Sequence, residues 1–310
     1  MNIASFRRSR VLPNFLIVGA ARSGTTSLYN YLKQHPEIYM SPVKEPKFIT
    51  AQFLRFPLNG IGDGEIERNM VKSFDEYNKL FENVRHEKAI GEASADYLYY
   101  FENSIKYIKE FLGEVKIIIV LRNPVERAFS NYLYLFKEGR ERLSFEDALK
   151  SESERKRLNW EYMWFYKDVG FYYQQVKAYL KSFQKVGIFL YDDLRNDAST
   201  LMKSMFNFLD AQTSFSPQMD VTYNASGIPK NRLVYNFLTK SNFFKAALKP
   251  VMDSVLPVKR RSHTIEKIKT HSLRKPSLLP QPREFLKNIY REDILRLQAL
   301  IKRDLSHWLV

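Results

Sequence analysis

The stretch Phe15 to Leu32, FLIVGAARSGTTSLYNYL, narrows the possible folds more than any other part of the chain. Phe15 to Val18 is a continuous apolar run, too short for a helix and suited to a buried parallel strand. Gly19 to Gly24 is then a turn of small residues. Thr25 to Leu32 carries apolar or aromatic residues at Leu28, Tyr31 and Leu32, as a helix would. Pro36 ends that helix, because proline drives the preceding His35 out of helical geometry. Strand, glycine-bounded loop and helix N-terminus make a phosphate cradle, where free backbone N–H groups converge and the helix dipole adds partial positive charge. The spacing is G-x-x-x-x-G-T-T, against G-x-x-x-x-G-K-[ST] in nucleotide triphosphatases. Thr25 stands where their lysine reaches the β- and γ-phosphates, and the long cation of this loop is Arg22 instead. That disfavours ATP or GTP hydrolysis and suits stabilising one transferring anionic group without a metal. Taken alone, the same residues also make an ordinary tight strand–helix turn.

Strands alternating with helices continue along the chain. Val115 to Leu121 (VKIIIVL) is β-branched and bounded by Gly113 and Asn123-Pro124. Ala89 to Glu92 and Val186 to Tyr191 read as further core strands, and Ile38 to Met40 as a short one. The expected fold is α/β and P-loop NTPase-like: a single domain over residues 1–310, with a central parallel sheet of about five strands flanked by helices. A basic tail over 1–12 and a C-terminal helical part over 233–310 belong to the same domain. Helices are expected at Ser73 to Phe81, Ile105 to Leu112, from Ser144, through most of Trp160 to Phe183, at Ala198 to Leu209 and at Pro282 to Leu300. Thr50 to Glu67, with three glycines, reads as an irregular, mobile flap. Arg122 stands at the C-terminal end of a strand, where open α/β sheets bind ligands, and Pro124 starts the helix that follows.

Lysine and arginine total 49 against 34 aspartates and glutamates, a net charge of +15. Such a field favours anionic partners: nucleotides, acidic glycans, membrane surfaces or nucleic acid. Basic residues concentrate in Lys230 to Arg232, Lys245 to Lys249 and Lys259 to Lys275, and a solvated face explains such runs equally well. No base-reading or zinc motif accompanies them, so nucleic acid is not an expected partner. Cysteine is absent, which excludes a disulfide framework and thiolate chemistry and fits the cytoplasm. No apolar run approaches the roughly 20 residues of a membrane-spanning helix. Peripheral contact with an anionic membrane surface stays open.

Four segments occur together: VGAARSGTTSLYNYLKQHPEIYMSPVKEPKF, IGEASADYL, IIIVLRNPVERAFSNYLYL and IFLYDDLRNDASTLMKSMFNFLD. With them the chain resembles the sulfotransferases that use 3′-phosphoadenosine 5′-phosphosulfate (PAPS), in the branch related to heparan sulfate sulfotransferases. The resemblance covers Pro13 to Leu209 well and the rest loosely. It implies transfer of a sulfuryl group from PAPS, as co-substrate and without a metal, to a hydroxyl or amine of a carbohydrate or glycolipid. The expected setting, apart from the resemblance, is a bacterial cytoplasm. The resemblance implies that Arg22, Ser23, Gly24, Thr25, Thr26 and Ser27 wrap the 5′-phosphosulfate. Arg122 and Ser130 would hold the 3′-phosphate, and a forked guanidinium suits that task. Gly227, Lys230 and Arg232 resemble the family's late basic loop near the nucleotide.

Glu45 matches the family's acid in the KEP segment, the general base that takes the acceptor's proton. Arg22 and Glu45 are thus the catalytic candidates, and Lys44, Glu92, Ser94 and Tyr97 the acceptor-side ones. Read without the resemblance, Lys44 and Glu45 are a surface ion pair, and Arg122 a partner in another. His35 is an alternative base, although its place before Pro36 suits packing. Tyr97, Trp160, Trp164 and Phe165 form either an acceptor platform or core. The chain departs from the family twice. Arg22 replaces the commoner lysine, so its role should be electrostatic, arginine being a poor proton donor. Glu92-Ala93-Ser94-Ala95 lacks the lysine and proline of the heparan-type E-K-S-P segment. A P-loop kinase and a non-catalytic anion- or nucleotide-binding protein are the rival readings.

Overall fold

Strands that are apolar or small on both faces can be satisfied only inside a sheet covered on both sides. The computed structural model places Phe15–Gly19, Ala89–Ala93 and Lys116–Leu121 in that position. It describes residues 11–219, 227–229, 273–274 and 276–310. The basic tail over 1–10, Lys230 and Arg232, and the basic runs at Lys245 to Lys249 and Lys259 to His271 lie outside the described residues.

The order is β1 (Phe15–Gly19), α1 (Thr25–Leu32), β2 (Ile38–Met40), α2 (Phe48–Ala51), α3 (Asp63–Asn69), α4 (Phe74–Lys79), β3 (Ala89–Ala93), α5 (Phe101–Phe111), β4 (Lys116–Leu121), α6 (Pro124–Lys137), α7 (Phe145–Lys150), α8 (Glu152–Arg157), α9 (Tyr172–Ser182), β5 (Val186–Leu190), α10 (Tyr191–Asn196), α11 (Ala198–Phe208), β6 (Ile228–Pro229), β7 (Leu273–Arg274) and α12 (Pro280–Ile301). Five parallel strands form one sheet in the order β2-β3-β1-β4-β5, with Ile17 paired to Ala93 on one side and Ile118 on the other. Alternate residues of β1 and β4 face opposite cores. Leu16, Val18, Ile117 and Ile119 pack with α5, α6, α9 and α12, whereas Phe15, Ile17, Ile118 and Val120 pack with α1 and α11. At Gly91 a Cβ would stand 2.2 Å from the Phe15 ring, so only glycine lets β3 lie against that ring.

From β1 the chain moves outward to β2 and β3 on one side, then crosses to β4 and β5 on the other. The connections leaving β1 and β4 therefore diverge. The crevice between them, at the carboxyl ends of the strands, is where open α/β sheets bind ligands. The Gly19–Gly24 loop and Arg122 both sit there.

Two local expectations need correction. Only Tyr172–Ser182 of the stretch from Trp160 to Phe183 is α-helix, preceded by single 3-10 turns at Tyr162–Trp164 and Asp168–Gly170. Side-chain carboxylates divert the backbone there. Glu152 accepts from the N–H groups of Lys167 and Asp168 at 2.7 and 3.0 Å, and Asp293 from that of Tyr172 at 2.8 Å. The expected irregular flap from Thr50 to Glu67 contains the end of α2 and most of α3. It is tied down by the buried Asp63, which accepts from Gly60 N and Glu161 N at 2.8 Å each and from Trp164 Nε1 at 2.9 Å, and pairs with Arg140.

Candidate active site

Gly24 closes the loop with φ 89°, a left-handed conformation that favours glycine, and α1 starts at the next residue without a side-chain cap. The first turn of α1, Thr25, Thr26 and Ser27, presents its backbone N–H groups at the helix start. They border an open cleft lined by Ala21, Arg22, Gly24, Thr25, Thr26, Ser27, Glu45, Lys47, Ile66, Arg122, Tyr134, Arg140, Glu161, Tyr162, Met163 and Tyr191. Ser23 is fully buried and its N–H donates to Ala20 O at 3.2 Å, so this residue holds the turn and does not border the cleft.

Arg22 has φ 67°, the left-handed region that non-glycine residues rarely enter. Its Nε donates to Ser130 Oγ at 3.3 Å, its guanidinium lies 4.8 Å from the centre of the Tyr134 ring, and its carbonyl accepts from Arg122 Nη1 at 3.0 Å. Burial, with the neighbouring Arg122 adding to it, pushes the Arg22 guanidinium down to about 10, still a cation at neutral pH. Arg122 is 8% exposed and stacks on Tyr191 with its guanidinium 4.7 Å from the ring centre; Tyr172 Oη donates to its carbonyl at 3.1 Å. Ser130 is buried against Arg22 and not among the cleft-lining residues, so in this structure it supports the loop cation.

Glu45 faces the same cleft from the segment between β2 and α2. It too is left-handed, φ 59°, and its N–H donates to Ala93 O at 2.9 Å. Lys44 Nζ lies 2.7 Å from Glu45 Oε1. Burial alone would raise the Glu45 carboxyl, but Lys44, Lys47 and Arg22 outweigh it and hold the group below its ordinary value. The carboxylate is therefore ionised at neutral pH and able to accept a proton. Lys44 contacts Glu45 but does not line the cleft.

Glu92, Ser94 and Tyr97 were expected on the acceptor side, and the structure puts all three beneath it, at most 0% exposed. Ser94 Oγ donates to Glu92 Oε2 at 2.9 Å and accepts from Lys47 N at 3.1 Å, and Tyr97 Oη accepts from Ile49 N at 3.2 Å. They brace the backbone that carries Glu45. Burial pushes the Glu92 carboxyl up to about 8. Trp164 and Phe165 belong to the core as well, and Trp160 packs against it. His35 lies among Phe206 and Phe215 on the other face of the sheet; its Nδ1 accepts from Glu37 N at 3.1 Å and its Nε2 contacts Gln212 O at 2.9 Å. Both ring nitrogens are occupied, and His35 does not line the cleft. Gly227 is buried beside β6, which lies against α6, and does not line the cleft.

Sequence reasoning missed Lys47, Arg140, Glu161, Tyr134 and Tyr191. Lys47 is left-handed, φ 53°, and buried, with Nζ 2.9 Å from Glu161 Oε1 and 3.8 Å from Asp96 Oδ2; these acids outweigh burial and hold its ammonium charged. Lys47 stands two residues after Glu45, a weak signal, whereas Arg140 and Glu161 meet it only through tertiary contacts. Among the described residues no group of three or more His, Asp or Glu side chains is placed to hold a metal ion. None of the described helices is long and apolar enough to cross a membrane.

Comparison with known proteins bears on this geometry. A crystal structure of a sulfotransferase from Alicyclobacillus acidocaldarius aligns with TM-score 0.76 and 33% identity, covering 96% of this chain and 99% of that one. Carbohydrate sulfotransferase 15 of Mus musculus is 32% identical over 176 residues, 46% of this chain and 30% of its own length. Bifunctional heparan sulfate N-deacetylase/N-sulfotransferase 3 of Homo sapiens is 26% identical over 228 residues, 69% of this chain and 24% of its own. The matches thus span less than a third of these curated relatives. Residues 13–215, which hold the glycine loop, Glu45, Arg122 and α10, match the model of the sulfotransferase family, and the chain belongs to that family.

Proposed function

We propose that the protein transfers a sulfuryl group from PAPS to a hydroxyl or amine of a carbohydrate or glycolipid acceptor. The observation that carries this reading is the meeting, in one cleft, of a lysine-free glycine loop bearing Arg22, a strand-end Arg122 and an ionised Glu45. The first-turn N–H groups of α1 and Arg22 suit the 5′-phosphosulfate, and Arg122 suits the 3′-phosphate that separates PAPS from ATP. Glu45 takes the acceptor proton as the acceptor oxygen or nitrogen bonds to sulfur. The bond from sulfur to the bridging phosphate oxygen breaks in line, leaving adenosine 3′,5′-bisphosphate. Arg22 and the loop N–H groups stabilise charge on the transferring group and on that leaving phosphate, so no metal is needed for this role.

The names of the relatives support a carbohydrate acceptor. The absence of cysteine supports a cytoplasmic setting, and the +15 charge supports contact with anionic surfaces. We assign residues 1–310 to one domain. The test is transfer of labelled sulfate from PAPS onto a panel of glycans and lipids. Metal-dependent ATP turnover without sulfuryl transfer would replace this reading with the kinase one.

A further inference from the structure

The helix α10, which follows β5, roofs the donor half of the cleft. Tyr191 stacks on Arg122, and a Cβ placed on Gly24 would stand 2.7 Å from Leu194 Cδ2 and 3.1 Å from Tyr191 Cδ2. Yet α10 is six residues long, has no side-chain cap and has no fully buried residue. So short a helix does not hold itself. Leu194 packs on the core beside α11, and the polar ties that hold α10 come from 110 or more residues away, in the turn after α12. Asp192 Oδ2 accepts from Trp308 Nε1 at 2.9 Å and lies 3.1 Å from His307 Nε2. Arg303 Nη2 donates to both oxygens of Asp193, at 2.9 and 3.2 Å. The same Trp308 offers its carbonyl to Asn123 Nδ2 at 3.4 Å, and Asn123 is the N-cap of α6, next to Arg122. Trp308 and Leu305 are themselves buried, which anchors the turn in the core.

We propose that the turn Arg303 to Trp308 is a positioning device for the donor nucleotide: it joins the ends of β4 and β5 and fixes α10 against Arg122 and Gly24. None of its residues lines the cleft, so Trp308, His307 and Arg303 act through Asp192, Asp193 and Asn123. Acidic residues in the first turn of a helix also favour its dipole. That alone would not require the partners found here. The proposal rests on the donor assignment above.

The test uses the full chain with Trp308→Phe, which keeps a ring but loses the indole N–H, and Asp192→Asn, which removes the charge. Ile108→Val, on the core face of α5, serves as a control for lost stability. Two quantities are read: amide hydrogen exchange in the free protein, and affinity for adenosine 3′,5′-bisphosphate. Both clamp variants should exchange faster, selectively over 191–196, and bind about tenfold more weakly, the scale of one hydrogen bond to a charged group. Donor KM should rise while kcat at saturating donor stays near wild type. Ile108→Val should lower the melting temperature without changing exchange over 191–196 or affinity. Unchanged exchange in both clamp variants overturns the clamp, and faster exchange with unchanged affinity overturns its positioning role. Wild-type protein that binds no bisphosphate overturns the donor assignment instead.

Discussion

Arg22, Glu45 and Lys47 are all non-glycine residues in the left-handed region, and all border one cleft. Such backbone costs on the order of 1–3 kcal/mol per residue and persists where surrounding contacts over-determine it. Here the contacts are Arg122 on the Arg22 carbonyl, Ala93 on the Glu45 amide and Ser94 on the Lys47 amide. Glu45→Gln should keep bisphosphate affinity and lower turnover by roughly 100-fold or more, the scale of general-base loss; near-normal turnover would remove Glu45 from that role. With the Glu45 carboxyl held below its ordinary 4.5, kcat/KM should not fall as pH is lowered from about 7 to about 5. An acid limb centred near 6 would point to Asp96 instead, whose burial pushes it up to about 6. Arg22→Lys should retain substantial activity because a cation remains. Arg22→Ala should cost turnover about 100-fold or more, by analogy with lost oxyanion donors, and weaken bisphosphate binding less.

At the scale of elements, the brace under the KEPK segment has its own consequence. Burial pushes the folded Glu92 carboxyl up to about 8, against an ordinary 4.5, so the folded state holds the extra proton between these values. A raised carboxyl contributes stability below its unfolded value and loses it as pH rises through the folded one. Wild-type stability should therefore decline by on the order of a few kcal/mol between about pH 5 and pH 9, and Glu92→Gln should flatten that decline. Chemical denaturation across that range checks it; equal slopes in both proteins would contradict the buried brace. The phosphate loop makes a second case. Gly24→Ala forces a left-handed alanine, costing about 1–2 kcal/mol, and drives its Cβ toward Leu194, so both stability and bisphosphate affinity should fall. Unchanged affinity would mean that the loop is not the cradle.

Across the whole molecule, what local pattern dictates was readable in advance. Continuous apolar runs marked β1 and β4, Ser73 opened α4, and Pro124 began α6. The parallel sheet and the place of Arg22 and Arg122 at its carboxyl edge followed from these, whereas Glu45 was legible only through the family resemblance. What escaped depends on contacts distant in sequence. Asp63 and Asp293 capture backbone N–H groups roughly a hundred residues away, which ordered the expected flap and shortened the expected helix after Trp160. Polar type also misleads where depth is unknown: Glu92, Ser94 and Tyr97 suggest contact with an acceptor until burial shows them supporting a loop. The central claim is that this cleft recognises a 3′-phosphorylated adenosine nucleotide through Arg122 and the lysine-free loop. Calorimetric titration with adenosine 3′,5′-bisphosphate and with magnesium ATP, on wild type and Arg122→Ala, tests it most directly. The expected result is tight binding of the bisphosphate, much weaker binding of ATP, and loss of that preference by about 100-fold in Arg122→Ala, the scale of a removed charge-assisted pair. Equal affinity for both nucleotides in wild type, or an unchanged preference in the variant, would contradict it.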